Sequence, residues 1–338
     1  MMGNMESMNR MDAEAGVAPS ARAPRRRHAL LGAVSTALLL APALPSGETS
    51  GTLAQVAFRD RFLDGSGRTG PELIAVPEGS FIMGSRPEEP GYRPTETQHE
   101  VTTSAYAIGR FEVTNAEFAE FLNERGNQLD DGIRWILLER SDRCLIREIA
   151  PGRFAPAEGA ADRPVVTISW NAANAYCAWL SEKTGRLYRL PTEAEWERAA
   201  RAGTSTIWPW GDAFDPARLA WEGNSAAASR PVGSFPANPW GIHDMLGNTW
   251  EWVLDCFQDD FYAVSPSRDP LLLDEDCWVP GIRGGSFRDG PEWCRPGYRI
   301  NTWWWGEYDS IGFRVARLDA PPKPRRPARP SAPKPNAP

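Results

Sequence analysis

Histidine is nearly absent from this chain: three in 338 residues, at positions 28, 99 and 243. Only His99 and His243 follow the N-terminal segment, so a three-histidine iron site cannot be built there. No GxSxG elbow is present to support a Ser-His-Asp hydrolase. Both histidines read as surface or hydrogen-bonding residues. Cysteine is scarce too: Cys144, Cys177, Cys256, Cys277 and Cys294 contain no CxxC pair. In an oxidising compartment that odd count leaves at least one thiol over, or pairs it outside the chain. No apolar run reaches the roughly 18–20 residues that span a bilayer, so no stable membrane span is expected. No internal repeat is present.

What is abundant is tryptophan (15), proline (31) and glycine (30), which indicates a loop-rich domain rather than a helical bundle. Charge is unevenly spread. The chain carries −7 in total, residues 1–43 carry +2 and residues 321–338 carry +5, which leaves −14 on the middle. So acidic a body repels phosphate backbones, which excludes nucleic acid as a partner, and suits a divalent cation. Residues 1–43 read as an N-terminal extension and signal peptide. Arg22, Arg25, Arg26 and Arg27 precede the apolar run Ala29–Ala43, which ends in the small-x-small site Ala41-Pro42-Ala43. A short anchor or a buried helix is the alternative. The expectation is export to the periplasm or beyond, by the Sec or the twin-arginine route. Residues 44–70 read as a linker, 71–318 as the folded domain, and 319–338 as a Pro/Arg-rich disordered or polyproline-II tail. Contact of that tail with anionic envelope polymers or an aromatic groove is the functional alternative.

Along the domain, "ELIAVPEGSFIMGS" predicts two short strands around the Pro77–Ser80 turn, and "YAIGRFEVTN" a third. Thr114 and Glu117 make a capping box for a helix that buries Phe118, Phe121 and Leu122. Residues 126–164 read as irregular. Ala173, Tyr176, Cys177 and Leu180 fall at helical spacing in "SWNAANAYCAWLSEKTG", with Gly185 just past the end. Thr192 and Glu195 cap a further helix that Gly203 should stop. Beyond residue 204, Trp/Gly/Pro-rich loops alternate with short strands. Cys177 reads as a small buried hydrophobe.

The ordered blocks "VPEGSFIMGS", "FEVTNAEFAEFL", "PVVTISWNAANAYCAWLSEKTGRLYRLPTEAEWERAARAG", "WPWGD", "RPVGSFPANPWGIHDMLGNTWEWV", "RGGSF" and "IGFRVAR" carry a resemblance. From about Leu73 to Arg317 the sequence resembles the formylglycine-generating enzyme (sulfatase-modifying factor) family. The resemblance implies a single α+β domain, C-type-lectin-like, with little regular secondary structure and an elongated cleft for a peptide or protein substrate. Family members oxidise a substrate cysteine with O2 and copper held between two thiolates, a pair suited to soft Cu(I). Here those two positions are Asp289 and Cys294. A carboxylate is a poor second ligand for Cu(I), so copper is not expected, and the site residues become Cys294, Asp289 and the neighbouring Ser286.

The resemblance also implies a structural calcium in "DMLGNTWEW", held by the side chains of Asp244 and Glu251 and the carbonyls of Gly247 and Thr249, hard oxygens on a tight wrap. Local caps or ion pairs are the alternative for those two acids. A second calcium position has no clear match, because "WEGNSAAASRPVG" is shorter than the family stretch. The family pattern further implies a Cys256–Cys277 disulfide. Cys144 is left to pair with Cys294 or stay free. Arg283, Arg299 and Arg314 match cleft and framework positions, with internal salt bridges and substrate contact both open. Two functions follow. One is oxidative modification of a peptide or protein in the envelope, on a non-sulfatase substrate as in the pyoverdine-maturation branch. The other is a non-catalytic, lectin-like binding module, for which the aromatic run "NTWWWGEYDS" would serve equally well.

Overall fold

The computed structural model describes residues 56–130, 132–139, 143–274, 277–306 and 308–318. The expected signal segment and the Pro/Arg-rich tail lie outside them. Helix α1 (Asn115–Arg125) starts where expected: Thr114 accepts from the Glu117 amide while Glu117 reaches back to the Thr114 N–H. That reciprocal pair satisfies two amides that would otherwise be orphaned at the helix start. Helix α2 (Trp170–Thr184) is capped by Ser169 and ends at Gly185 in the left-handed conformation. Their inward faces meet in the first core. There Phe118 lies 5.9 Å from Tyr176, Phe121 lies 5.7 Å from Trp179, and Cys144 and Cys177 are buried among them. Each large apolar side chain buried there contributes about 1.5–3 kcal/mol.

Helix α3 (Glu193–Arg201) differs from expectation in two ways. It stops at Ala202, left-handed at φ 48°, one residue before the expected Gly203. It also has no solvent face: all nine of its residues are buried, charged ones included. Beside it lies the second core, which contains Ile74, Ile108, Trp196, Trp208, Met245, Val253 and Cys294.

Two sheets organise the strands. The larger runs, in spatial order, Ala57–Phe58, Leu73–Val76, Tyr106–Gly109, Ala316–Leu318 and Leu187–Arg189. The other runs Arg299–Asn301, Pro280–Arg283, Trp250–Cys256 and Ile311–Gly312, with only the last pair parallel. The two strands flanking Pro77 therefore belong to different sheets, because Gly79–Met83 pairs with His99–Thr103 in a separate ribbon. Residues 126–164 are less irregular than expected, holding the ribbons Leu129–Asp130/Ile133–Arg134 and Ile146–Ala150/Arg153–Pro156.

The stretch before residue 71 is not all linker. Ala57 pairs with Ile74, and Phe62 enters the first core. The α+β class and the short elements are as expected. Cys256 and Cys277 are bonded, with their Cα atoms 5.7 Å apart. Closing 21 residues of chain this way contributes about 3 kcal/mol by loop entropy. Cys144, Cys177 and Cys294 are free and buried, so Cys144 does not pair with Cys294.

Candidate functional site

The loop after "RGGS" hangs from a frame of buried ion pairs. Glu197 of α3 meets Arg283 at 2.6 Å and Arg201 at 2.8 Å, and Glu193 meets Arg299 at 3.1 Å. Arg295 reaches Glu96 at 3.1 Å and Glu89 at 3.4 Å, and Arg314 meets Glu251 at 2.6 Å. Arg283, Arg295, Arg299 and Arg314 are each fully buried. Guanidinium suits this task because its planar donors satisfy a carboxylate and a carbonyl together; Arg283, for example, also donates to the Pro296 carbonyl at 2.6 Å. The arginines at 283, 299 and 314 are framework. None of the three presents its head to solvent.

Within that bracket the loop turns on Gly284 (φ 102°) and Gly285 (φ 74°). A Cβ on Gly285 would lie 2.6 Å from the Cys294 sulfur, so glycine there is what lets the thiol pack. The Asp289 carboxylate accepts from the Ser286 amide at 2.9 Å and from the Ser286 hydroxyl, and the Asp289 amide donates to the Ser286 carbonyl at 3.1 Å. Asp289 thus closes a tight turn with Ser286. Burial raises its proton affinity, against the hydrogen bonds from Ser286 and the Trp250 indole. Cys294 is wholly enclosed in the second core. Burial first, then the carboxylates of Asp289 and Glu292, push its thiol well above the ordinary thiol range. The two flanking arginines do not counter this: Arg288 is paired with Asp309 and Arg295 with Glu96. Ser286, Asp289 and Cys294 are therefore brought together, but as a hydrogen-bonded turn over a sealed thiol. A soft cation has no pair of thiolates here.

Beside Asp289 stand Trp250, Trp293 and Tyr298, with ring centroids 5.0–6.5 Å apart, and Arg93 lies over the last two. Nothing in the sequence spacing flagged Arg93, which comes from the loop before the strand His99–Thr103. A cavity of about 340 Å³ opens elsewhere, lined by Trp210, Arg218, Ile242, Asp244, Met245 and Leu246 among others; Ser286, Asp289 and Cys294 do not line it.

The residues of "DMLGNTWEW" are partly gathered. Asp244 accepts from the Gly233 amide at 2.6 Å, and at Gly247 (φ 72°) a Cβ would clash with the Ala220 carbonyl oxygen. Glu251 is spent on Arg314 and on the Trp196 indole, which donates at 2.7 Å. Among the described residues no three His, Cys, Asp or Glu side chains form a ready metal cluster. Charge is nonetheless out of balance. Glu112, which sequence reading passed over, joins Asp244 and Glu251 around the single Arg314. Burial and mutual repulsion push Asp244 up to about 6 and Glu112 upward as well. One Glu112 carboxylate oxygen and the Thr249 hydroxyl are buried without a partner. His99 and His243 are structural: His99 bonds the Thr97 carbonyl and Ser265, and His243 the Phe235 carbonyl.

Comparison with known proteins agrees with this arrangement. Residues 61–318 match the family model described as a sulfatase-modifying factor enzyme 1-like domain. A mouse protein named inactive C-alpha-formylglycine-generating enzyme 2 is 31% identical, over 75% of this chain and 88% of its own. The formylglycine-generating enzyme of Mycobacterium tuberculosis is 33% identical, over 72% and 96%. The solved structure of PvdO from Pseudomonas aeruginosa superposes with a TM-score of 0.63 at 34% identity, over 78% of this chain and 98% of that one.

The frame makes one clear demand. Glu197→Ala leaves Arg283 and Arg201 unpaired in the interior and should cost about 3–5 kcal/mol in urea denaturation. A loss below about 1 kcal/mol, within the range of an exposed pair, would show that the pair does not hold the loop.

Proposed function

The chain belongs to the sulfatase-modifying factor family, and we propose that it acts on a peptide or protein substrate in the cell envelope without the two-thiolate copper site of formylglycine formation. The observation that carries this is the Ser286–Asp289 turn. Asp289 stands where the second thiolate would be, and its carboxylate is already used by the loop. A carboxylate is a hard donor and cannot complete a linear Cu(I) site with Cys294. The proposed modification is oxidative, and of Asp289, Ser286 and Cys294 only Asp289 reaches the surface where a substrate would lie. Burial raises the proton affinity of Asp289, and its half-buried position puts it where a bound substrate would meet the loop.

A second reading, the non-catalytic lectin-like module, is favoured by one observation: Ser286 and Asp289 satisfy each other and Cys294 is sealed. Export of the chain supports either reading and rests on the N-terminal arginine cluster and apolar run. We also propose a structural calcium near Asp244, Gly247, Thr249 and Glu251. Three buried carboxylates against one guanidinium, with an unpartnered Glu112 oxygen, leave room for a hard cation that supplies the missing positive charge.

Mature protein incubated with copper, O2 and a sulfatase-type cysteine peptide should yield no aldehyde by mass spectrometry. Aldehyde formation that disappears in Cys294→Ser would contradict the proposal. In a panel of cysteine peptides, a mass change lost in Asp289→Asn identifies the enzyme; peptides retained unchanged identify the module. For calcium, saturation a hundredfold above Kd is worth about 2.7 kcal/mol. Thorough chelation should then lower the melting temperature by roughly 5–10 °C in a domain of this size. An unchanged melting temperature would argue that no ion binds.

A further inference from the structure

The buried arginines of this domain all have acceptors, whereas the half-exposed Arg93 is set against aromatic rings instead. Its guanidinium lies 5.4 Å from the Trp293 ring centre and 5.1 Å from that of Tyr298. Among the described residues no carboxylate and no hydrogen-bond acceptor takes its side-chain N–H groups. Tyr298 is the complementary oddity. It is 2% exposed, and its hydroxyl is buried with no partner at all. Leaving such a group unsatisfied costs free energy that folded proteins normally avoid. A buried unpartnered hydroxyl and a guanidinium with no protein acceptor therefore share one aromatic wall, beside the Ser286–Asp289 turn, and Trp250 and Trp293 complete the enclosure.

Donors gathered without an acceptor describe a site for an anionic oxygen. We propose that Arg93 and Tyr298 form a carboxylate-binding subsite next to Asp289, which takes a carboxylate of the peptide or protein substrate. This rests on the substrate reading of the preceding subsection and names the chemical class of one of its contacts. Glu96 is neutralised by Arg295, and burial raises the proton affinity of Asp289, which weakens its competition for Arg93. A single guanidinium within a chain segment carrying −14 supports a monoanion rather than a phosphate. Access is inexpensive. Arg93 is held only by ring faces at a half-exposed position, a weak attachment, so it is free to move over the Tyr298 ring as an anion enters. The carboxylate would then bridge guanidinium and phenol and lie alongside Asp289.

The test compares N-acetylglycine with its neutral amide, N-acetylglycinamide, by ligand-observed NMR on the full chain. The acid should bind at least tenfold more tightly. Arg93→Ala should abolish that preference, Arg93→Lys should retain part of it, and Tyr298→Phe should reduce it severalfold. Tyr298→Phe removes only an unpartnered hydroxyl, so it should melt no lower than the parent, which separates lost binding from lost folding. Equal affinity for acid and amide overturns the proposal. So does a preference unchanged in both Arg93→Ala and Tyr298→Phe, or tighter binding of inorganic phosphate than of the acid. Copper-dependent aldehyde formation would overturn the preceding reading without affecting this result, and loss of the acid preference would leave that reading intact.

Discussion

Glu197 of α3 sits in the interior with Arg283 on one side and Arg201 on the other, and the fold around the site hangs on that arrangement. An unpaired charge at this depth would cost several kcal/mol, so each carboxylate on α3 fixes the place of the strand or loop that supplies its arginine. Glu193 fixes Arg299, Glu195 fixes Arg189, and Glu197 fixes Arg283. Lysine would serve poorly in these roles, and Lys183 is the only lysine between residues 44 and 320. Short strands and long loops are tolerable under such a regime, because position comes from ionic contacts rather than from long hydrogen-bonded ladders.

Three electrostatic environments follow within one domain. Around α3, each glutamate has an arginine partner. Around Arg314, carboxylates outnumber cations, which favours a proton or a metal ion. Beside Tyr298, donors outnumber acceptors, which favours an anion. The loop after "RGGS" lies between the last two. There a carboxylate holds the turn and the surviving thiol is sealed under it, disfavouring the thiolate that a metal or a reactive sulfur requires.

Much of this was legible before any coordinates. The capping boxes at Thr114 and Thr192, the αL glycine at Gly185 and the Cys256–Cys277 bond follow from short-range rules or from the family pattern. The ordered motifs gave the α+β class, and the family match bears out the kinship they implied. What was not legible is long-range pairing. Glu193 and Glu197 look like the wet face of a helix, and only Arg299 and Arg283, about a hundred residues later, explain their burial. The same holds for Glu112 beside Asp244 and for Arg93 over Tyr298, whose partners are 132 and 205 positions away. A surplus of arginine after residue 280, set against an acid-rich helix, was the one available signal. Strand pairing failed at Pro77 for a related reason: adjacent strands in the chain chose partners in different sheets.

On the proposed function, the frame keeps the loop in place and Asp289 stands where a second copper ligand would be. The most direct measurement is a Cu(I) titration of reduced, mature protein against a competing chelator, comparing the parent with Asp289→Cys. The parent should show no tight site. The variant should gain one equivalent of tight binding, and lose it again when Cys294 is also changed to serine. Tight stoichiometric binding by the parent, or none by the variant despite an unchanged fold, would contradict the account.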